Sequence, residues 1–352
     1  MINVLLTACN SPIMPPITRL IRESSIKEIK LIGVDSSPLS FGLSSVFFDS
    51  AHIVPKGSQE AEYISAMTRI CSDERIDVIF AGSDEELNAL KKHESEFACH
   101  IIGSGIDTLN LVSDKYELCC YLNRHGIGVP KFKKIVSINS LEENLHFLGF
   151  PEKSVILKPR FGRGSRGLKM IKGSVDKFYN FNNKVTHEID LEELIKLFEN
   201  NEHALQEYIF MEYLVGDKYS ADILVEKGNT VDMVIRNNGP YPKVSPPTMI
   251  ADIVFDTDIC EYSKEVCKLL SLDDFAQIEV GRDLDGDIRL IEINGRLDAS
   301  LAITKGVNLN YYELLIRKAI NSKFPEIDRR KESFSKLRFM RYLDYEFIKV
   351  DK

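Results

Sequence analysis

The first hundred residues alternate two kinds of hydrophobic pattern. Short apolar runs, NVLLTA, KLIGVD, DVIFAG and HIIGSG, each end in small or polar residues. Continuous apolar runs of this length suit strands buried on both faces of a parallel sheet. Between them, PPITRLIRES and EAEYISAMTRICSDE repeat apolar residues at helical spacing. The β-α-β-α alternation predicts an open parallel sheet with helices on both faces over residues 1–112. The turn after the first run, CNSPIMPP, contains no glycine, so the phosphate-turn fingerprint of dinucleotide-binding folds is missing.

Near residue 113 the texture changes. SDKYELCCYLNRHG predicts a helix that starts at Ser113 or Asp114 and stops near Gly126. SVILKPR, a Gly-rich turn and GLKMI follow. Residues 204–294 are dominated by β-like runs: ALQEYIFMEYL, KYSADILVE, TVDMVIR, MIADIVF, FAQIEVGRDL and IRLIEIN. Helical spacing recurs at 191–200, 259–270 and 309–321. The pattern predicts an α/β layer over 1–112, then α+β layers over 113–205 and 206–325, and a charged extension at 326–352 to which no function is assigned.

Composition narrows the function classes. The chain has 352 residues, 44% hydrophobic and 28% charged, which is ample for several packed layers. Its formal net charge of −8 argues against a sequence-independent grip on nucleic acid. No apolar run approaches a membrane span, and MINVLLTACN lacks the basic and apolar regions of a secretory signal. Seven cysteines with no C-x-x-C pair fit reduced core thiols in a cytoplasmic protein.

Two segments carry chemistry. In Lys158-Pro159-Arg160-Phe161-Gly162-Arg163-Gly164-Ser165-Arg166-Gly167, β-like runs on both sides predict a hairpin. Its glycines would let main-chain amides approach phosphate, with Lys158 as a point charge beside them. In FAQIEVGRDLDGDIRLIEINGR, two runs flank Asp285-Gly286-Asp287, a hairpin signature. Glu292 and Asn294 share one face by alternation, and pairing can bring Glu279 beside them. Hard oxygens of this kind suit Mg²⁺; an ion-paired strand edge is the plainer reading.

Lys115, Lys158 with its Gly-rich hairpin, Met211-Glu212-Tyr213-Leu214, Asp222 and then Glu279 and Glu292-x-Asn294-x-Arg296 occur in an order that resembles the ATP-grasp superfamily over roughly residues 1–320. The resemblance extends to relatives of the carbamoyl-phosphate synthetase large subunit and to D-alanine ligases. It implies a pre-ATP-grasp domain at 1–112, an ATP-grasp N-terminal lobe with the lid at 113–205, and a C-terminal lobe with the metal site at 206–325.

The resemblance also implies roles. Lys115 and Lys158 would hold ATP phosphates, and Gly162, Gly164, Ser165 and Gly167 would form the lid. Glu212 and the main chain of Tyr213 and Leu214 would bind the adenine edge. Lys218 stands where the family often has a ribose-binding acid, which leaves Asp217 as its substitute. Glu279, Glu292 and Asn294 would be metal ligands for two Mg²⁺, with Mn²⁺ able to substitute; Gln277 is the alternative first ligand. Arg296 would act catalytically with Lys158, stabilising an acyl phosphate with its planar, permanent charge.

The implied reaction is ADP-forming ligation of a small-molecule carboxylate to an amine or ammonia. Substrate-binding candidates are Asn10 and Ser11 after the first run, Asp84 and Glu85 after the third, and Arg236, which could bind a substrate carboxylate. Asp84 and Glu85 could meet an ammonium group, yet acids equally suit a helix N-terminus. NNGPYPKVSPPT at 237–248 is a candidate cover for the substrate. No H-R-D, D-F-G or H-E-x-x-H occurs, and the seven histidines are scattered, which excludes kinase and zinc-hydrolase readings. A degenerate module that senses ATP or a metabolite is the rival, and a homodimer and a monomer are both open.

Overall fold

The computed structural model describes residues 1–11, 14–38, 40–44, 46–162, 166–239, 249–296, 299–327 and 337–342. Two compact units divide the chain: Met1–Asn110 with Lys218–Glu279 and Ile293–Lys352, and Leu111–Asp217 with Val280–Glu292.

The first unit begins with β1 (Ile2–Leu6), α1 (Met14–Arg22), β2 (Ile29–Asp35), β3 (Ser50–Ile53), α2 (Glu60–Asp73), β4 (Val78–Phe80), α3 (Asp84–Lys92), β5 (His100–Ile101) and α4 (Ile106–Ser113). The strands form a parallel sheet in the order β3-β2-β1-β4-β5. Alternation along β1 sends Val4 and Leu6 to a core with Ile17 and Ile21 of α1. Leu5 goes to the other face, with Tyr63 and Met67 of α2 and Leu90 of α3. The four apolar runs are β1, β2, β4 and β5. Strand β3 (SAHI) escaped the pattern because it is an edge strand whose side chains alternate between half-buried and exposed.

The second unit holds α5 (Lys115–Arg124), β6 (Phe132–Lys134), α6 (Leu141–Phe147), β7 (Val155–Pro159), β8 (Lys169–Ile171), α7 (Lys177–Asn183), β9 (Glu188–Ile189), α8 (Leu191–Phe198) and β10 (Tyr208–Glu212). Their sheet runs β6-β10-β7-β8-β9, antiparallel except for β8 with β9. The Gly-rich segment joins the antiparallel pair β7–β8, as a hairpin should. ALQEYIFMEYL is not strand throughout: Glu202–Glu207 is a 3-10 turn that buries Leu205, and the strand starts at Tyr208. Strand β10 pairs back between β6 and β7, so a lobe change at 205/206 would fall before the strand that completes this sheet.

The first unit resumes with β11 (Lys218–Glu226), β12 (Asn229–Asn237), β13 (Ile250–Val254), α9 (Thr257–Leu269), β14 (Asp274–Arg282), β15 (Ile288–Asn294), α10 (Tyr311–Asn321) and β16 (Arg338–Met340). This sheet has the order β15-β14-β11-β12-β13-β16, and the tip of its β14–β15 hairpin, 280–292, is counted with the second unit. Within the charged extension, Arg338–Met340 adds the edge strand β16 beside β13.

One buried network braces the first unit. Asp274 accepts from His100 Nε2 and the Gly103 amide, each at 2.9 Å, and pairs with Lys318 Nζ at 2.8 Å. Burial alone would push its carboxyl up, but His100 and Lys318 prevail and hold it at about 2.

Candidate functional site

The second unit gathers three of the expected residues. Lys115 opens α5, whose N-cap Asp114 accepts from the amides of Tyr116 and Glu117. Asp114 also takes Arg160 Nη2 at 2.5 Å and Nε at 3.1 Å, while the Lys115 amide donates to the Arg160 carbonyl at 3.1 Å. This two-pronged pair ties the start of α5 to the end of β7. Burial would push the Asp114 carboxyl up; Arg160 and the two amides hold it below the usual aspartate range. Lys158 lies on β7 opposite Ile209, on the face that carries Ile156 and Met211, and those residues pack with Cys119. Burial pushes the Cys119 thiol up to about 12, as befits a core residue.

Both lysines reach Glu292, each ammonium 3.5 Å from one carboxylate oxygen. Each has a second partner: Lys115 donates to the Gly162 carbonyl and Lys158 to the Ile291 carbonyl, both at 2.9 Å. Gly162 adopts φ = 120°, a region in which a side chain is strained. The Glu292 side chain is 21% exposed. Burial raises the pKa of its carboxyl, but Lys158 and Lys115 outweigh it and hold the group below the ordinary glutamate value. Gly167 is also in the left-handed region, at φ = 73°. Gly164 and Ser165 lie outside the described residues, as does most of 237–248 (residues 240–248).

Glu212 ends β10 opposite Val155, so alternation turns its side chain to the face away from Lys158. Its carboxylate accepts from the Lys131 amide at 3.3 Å and borders a cavity of about 490 Å³ with Lys131, Lys153 and Arg289. The adenine-edge role expected of this side chain therefore has no support from its placement. Tyr213 and Leu214 follow the strand, and Gly216 and Asp217 are anchored by main-chain bonds to Arg282, at 3.2 Å each.

In the first unit, Asp222 is completely buried and pairs with Arg236, which is 2% exposed. Gln277 Nε2 donates to Asp222 Oδ1 at 2.9 Å, and Asn294 Nδ2 donates to Gln277 Oε1 at 3.1 Å. Arg236, expected to bind a substrate carboxylate, is 2% exposed and its charge is matched by Asp222. Gln277 accepts from Asn294 through its carbonyl oxygen and donates to Asp222, so it links the two side chains. Glu279 sits half-buried on β14. Among the described residues no three His, Cys, Asp or Glu side chains gather into a metal cage. Glu292 and Glu279 carry carboxylates and Asn294 an amide oxygen, hard donors of the kind magnesium takes.

Arg296 lies beyond β15 and pairs with Asp84, its Nε 3.2 Å from Oδ1. Asp84 is also the first residue of α3, after the N-cap Ser83, so it satisfies the helix-terminus reading as well. Glu85 shares that first turn. Asn10 and Ser11 follow β1, where the Asn10 amide donates to Asp35 Oδ2 at 2.6 Å. The Asp114–Arg160 pair and the Asp222–Gln277–Asn294 relay were not foreseen. Their bonded members are 17 to 55 residues apart, and no local spacing announces them.

A parallel N-terminal sheet, a sheet bearing the Gly-rich hairpin and lysines, and a six-stranded sheet whose β15 runs into Glu292-x-Asn294-x-Arg296 give the chain an ATP-grasp-like fold. Residues 204–341 match the family described as ATP-grasp in the biosynthetic pathway with Ter operon, and residues 4–102 match the PylC-like N-terminal domain. The chain is similar to the carbamoyl phosphate synthase large chain of Clostridium beijerinckii, 22% identical over 237 residues, which cover 64% of this chain and 20% of that protein. It thus spans about a fifth of that relative's length. Its fold is similar to an L-amino acid ligase from Bacillus licheniformis (TM-score 0.67, 15% identity, 92% of this chain and 76% of that one). It is also similar to biotin carboxylase from Campylobacter jejuni (TM-score 0.68, 18% identity, 93% and 72%). Among the described residues no helix is long and apolar enough to cross a membrane.

Proposed function

We propose that the chain ligates a carboxylate to an amine, using ATP to make an acyl phosphate and releasing ADP and phosphate. The observation that carries this reading is Glu292 held between Lys115 and Lys158 at 3.5 Å. Two cations sharing one anion at long range can exchange it for phosphate oxygens, which frees the carboxylate for a cation of its own. Lys115 and Lys158 would then hold the phosphates, with the lid residues Gly162, Gly164, Ser165 and Gly167 over them. The main chain of Tyr213 and Leu214 would read the adenine, and Asp217 the ribose. Glu279, Glu292 and Asn294 would hold magnesium, which when bound neutralises charge on the β- and γ-phosphates. The biotin carboxylase neighbour was solved as a βγ-ATP complex, which supports the nucleotide assignment.

The chemistry explains why ATP is needed. An amine cannot displace oxide from a carboxylate. When a carboxylate oxygen attacks the γ-phosphorus, the bond to the β–γ bridging oxygen breaks and ADP leaves. The amine nitrogen then attacks the acyl carbon, the carbon–oxygen bond to phosphate breaks, and the amine proton passes to the departing phosphate. Arg296 would stabilise charge at the acyl centre, and lid closure would exclude water.

The test is Mg-dependent ADP and phosphate release from ATP across amino acids and small carboxylic acids, with product mass recorded. A stimulated pair whose product mass equals the sum of the substrates minus water establishes the ligase. Nucleotide binding with no release from any pair would favour the sensor reading.

A further inference from the structure

Cys71 and Cys99 are far apart in the chain, and the first unit brings them together. Cys71 lies in the last turn of α2, and Cys99 in the bend that leads into β5. Two main-chain bonds join their surroundings. The Ile76 amide donates to the Cys71 carbonyl at 2.9 Å, and the His100 amide donates to the carbonyl of Asp77, the residue after Ile76, at 3.0 Å. Both side chains pack against the same face of the parallel sheet, on the core that holds Leu5, Ile79 and Leu90. There the Cys71 thiol donates to the Cys99 sulfur. Both are free thiols and only half-buried, whereas Cys9, Cys119 and Cys267 are buried. A structural zinc site takes four ligands, and among the described residues no three His, Cys, Asp or Glu side chains could hold a metal ion. The pair therefore stands as two thiols.

We propose that Cys71 and Cys99 are a modification site, which exchange with a low-molecular-weight disulfide closes into a reversible intramolecular disulfide. The inference does not depend on the ligase reading above. The hydrogen bond between the two sulfurs divides the work. Accepting it holds the Cys99 thiol below the usual cysteine range, against its burial. Donating it, together with burial, pushes the Cys71 thiol up. The thiolate is the nucleophile, so Cys99 attacks first: its sulfur bonds to one sulfur of the incoming disulfide, and the other leaves as a small thiolate. Cys71 then loses its proton to water and attacks the Cys99 sulfur, and the second small thiolate leaves. Two protein thiols are oxidised, and one small disulfide is reduced to two thiols. Because Cys99 sits in a bend and not within β5, its side chain can move to bonding distance while β4 and β5 keep their register. The bond ties the end of α2 to the start of β5.

The experiment incubates the folded, reduced full-length chain with oxidised glutathione, quenches with acid, alkylates the remaining thiols in denaturant and maps the peptides by mass. The expected result is a Cys71–Cys99 linked peptide lacking two hydrogens, with alkylation lost at both positions and restored by dithiothreitol. Cys71→Ser should stop at a glutathione adduct on Cys99, because nothing resolves it. Cys99→Ser should acquire an adduct at Cys71 about 10-fold or more slowly than Cys71→Ser does at Cys99. A glutathione adduct on wild-type Cys99 that never closes overturns the inference. So do both thiols staying alkylatable, and a link that forms only after the chain is unfolded. Where a serine variant does not fold, wild type decides alone: a link formed with the native circular dichroism spectrum retained supports the inference, and its absence overturns it.

Discussion

Glu292 and Asp222 are both carboxylates matched with cations, and they represent opposite uses of that match. Glu292 keeps 21% exposure and sits 3.5 Å from each of two lysines that have other acceptors. Asp222 is wholly buried and in close contact with Arg236, and its other oxygen takes Gln277. A loose, shared anion can change partners at little cost, as a site that must admit phosphate requires. A sealed, satisfied pair cannot: breaking it would leave a charge in a low-dielectric interior. The first arrangement suits an exchange of partners, and the second suits holding Gln277 and, through it, Asn294 in place.

The contrast is sharpest in Arg236→Met, which strands the Asp222 charge and should destabilise the fold by about 3–5 kcal/mol. Denaturant unfolding measures this, and adding Asp222→Asn should recover most of it. Failure to recover would mean that Arg236 acts by packing rather than by charge. Lys158→Ala should lower kcat/KM for ADP release by about 100- to 1000-fold yet shift the unfolding midpoint much less than Arg236→Met. A comparable loss of stability would erase the distinction between the two clusters. The smallest effect should come from Gln277→Ala. Freed of its anchor, Asn294 should bind Mg²⁺ about 10- to 100-fold more weakly in calorimetric titration with ADP present. Unchanged affinity would show that the relay does not orient the ligand.

Much of this was legible along the chain. The apolar runs located four of the five strands of the parallel sheet, and Gly-rich and Asp-Gly-Asp signatures located both hairpins. The order of Lys115, Lys158, Glu292, Asn294 and Arg296 pointed to the class. The match of Arg236 with Asp222 was not legible, because TVDMVIR alternates in a way that fits an exposed cation as well as a buried one. Glu212 was placed by the resemblance of Met211-Glu212-Tyr213-Leu214 to a hinge segment, whereas its pairing with Val155 decides which face its side chain occupies.

The sequence by itself determined the layers, the turns and the residue types that phosphate and magnesium chemistry need. Those depend on neighbours within a few positions, through side-chain periodicity and backbone preference. Only the tertiary structure decided which charges are open and which are sealed. It matched Lys115 with Glu292, Asp114 with Arg160, and Asp84 with Arg296. Whether a charge is costly or useful depends on its burial and its counter-charge, and both come from segments distant in the chain.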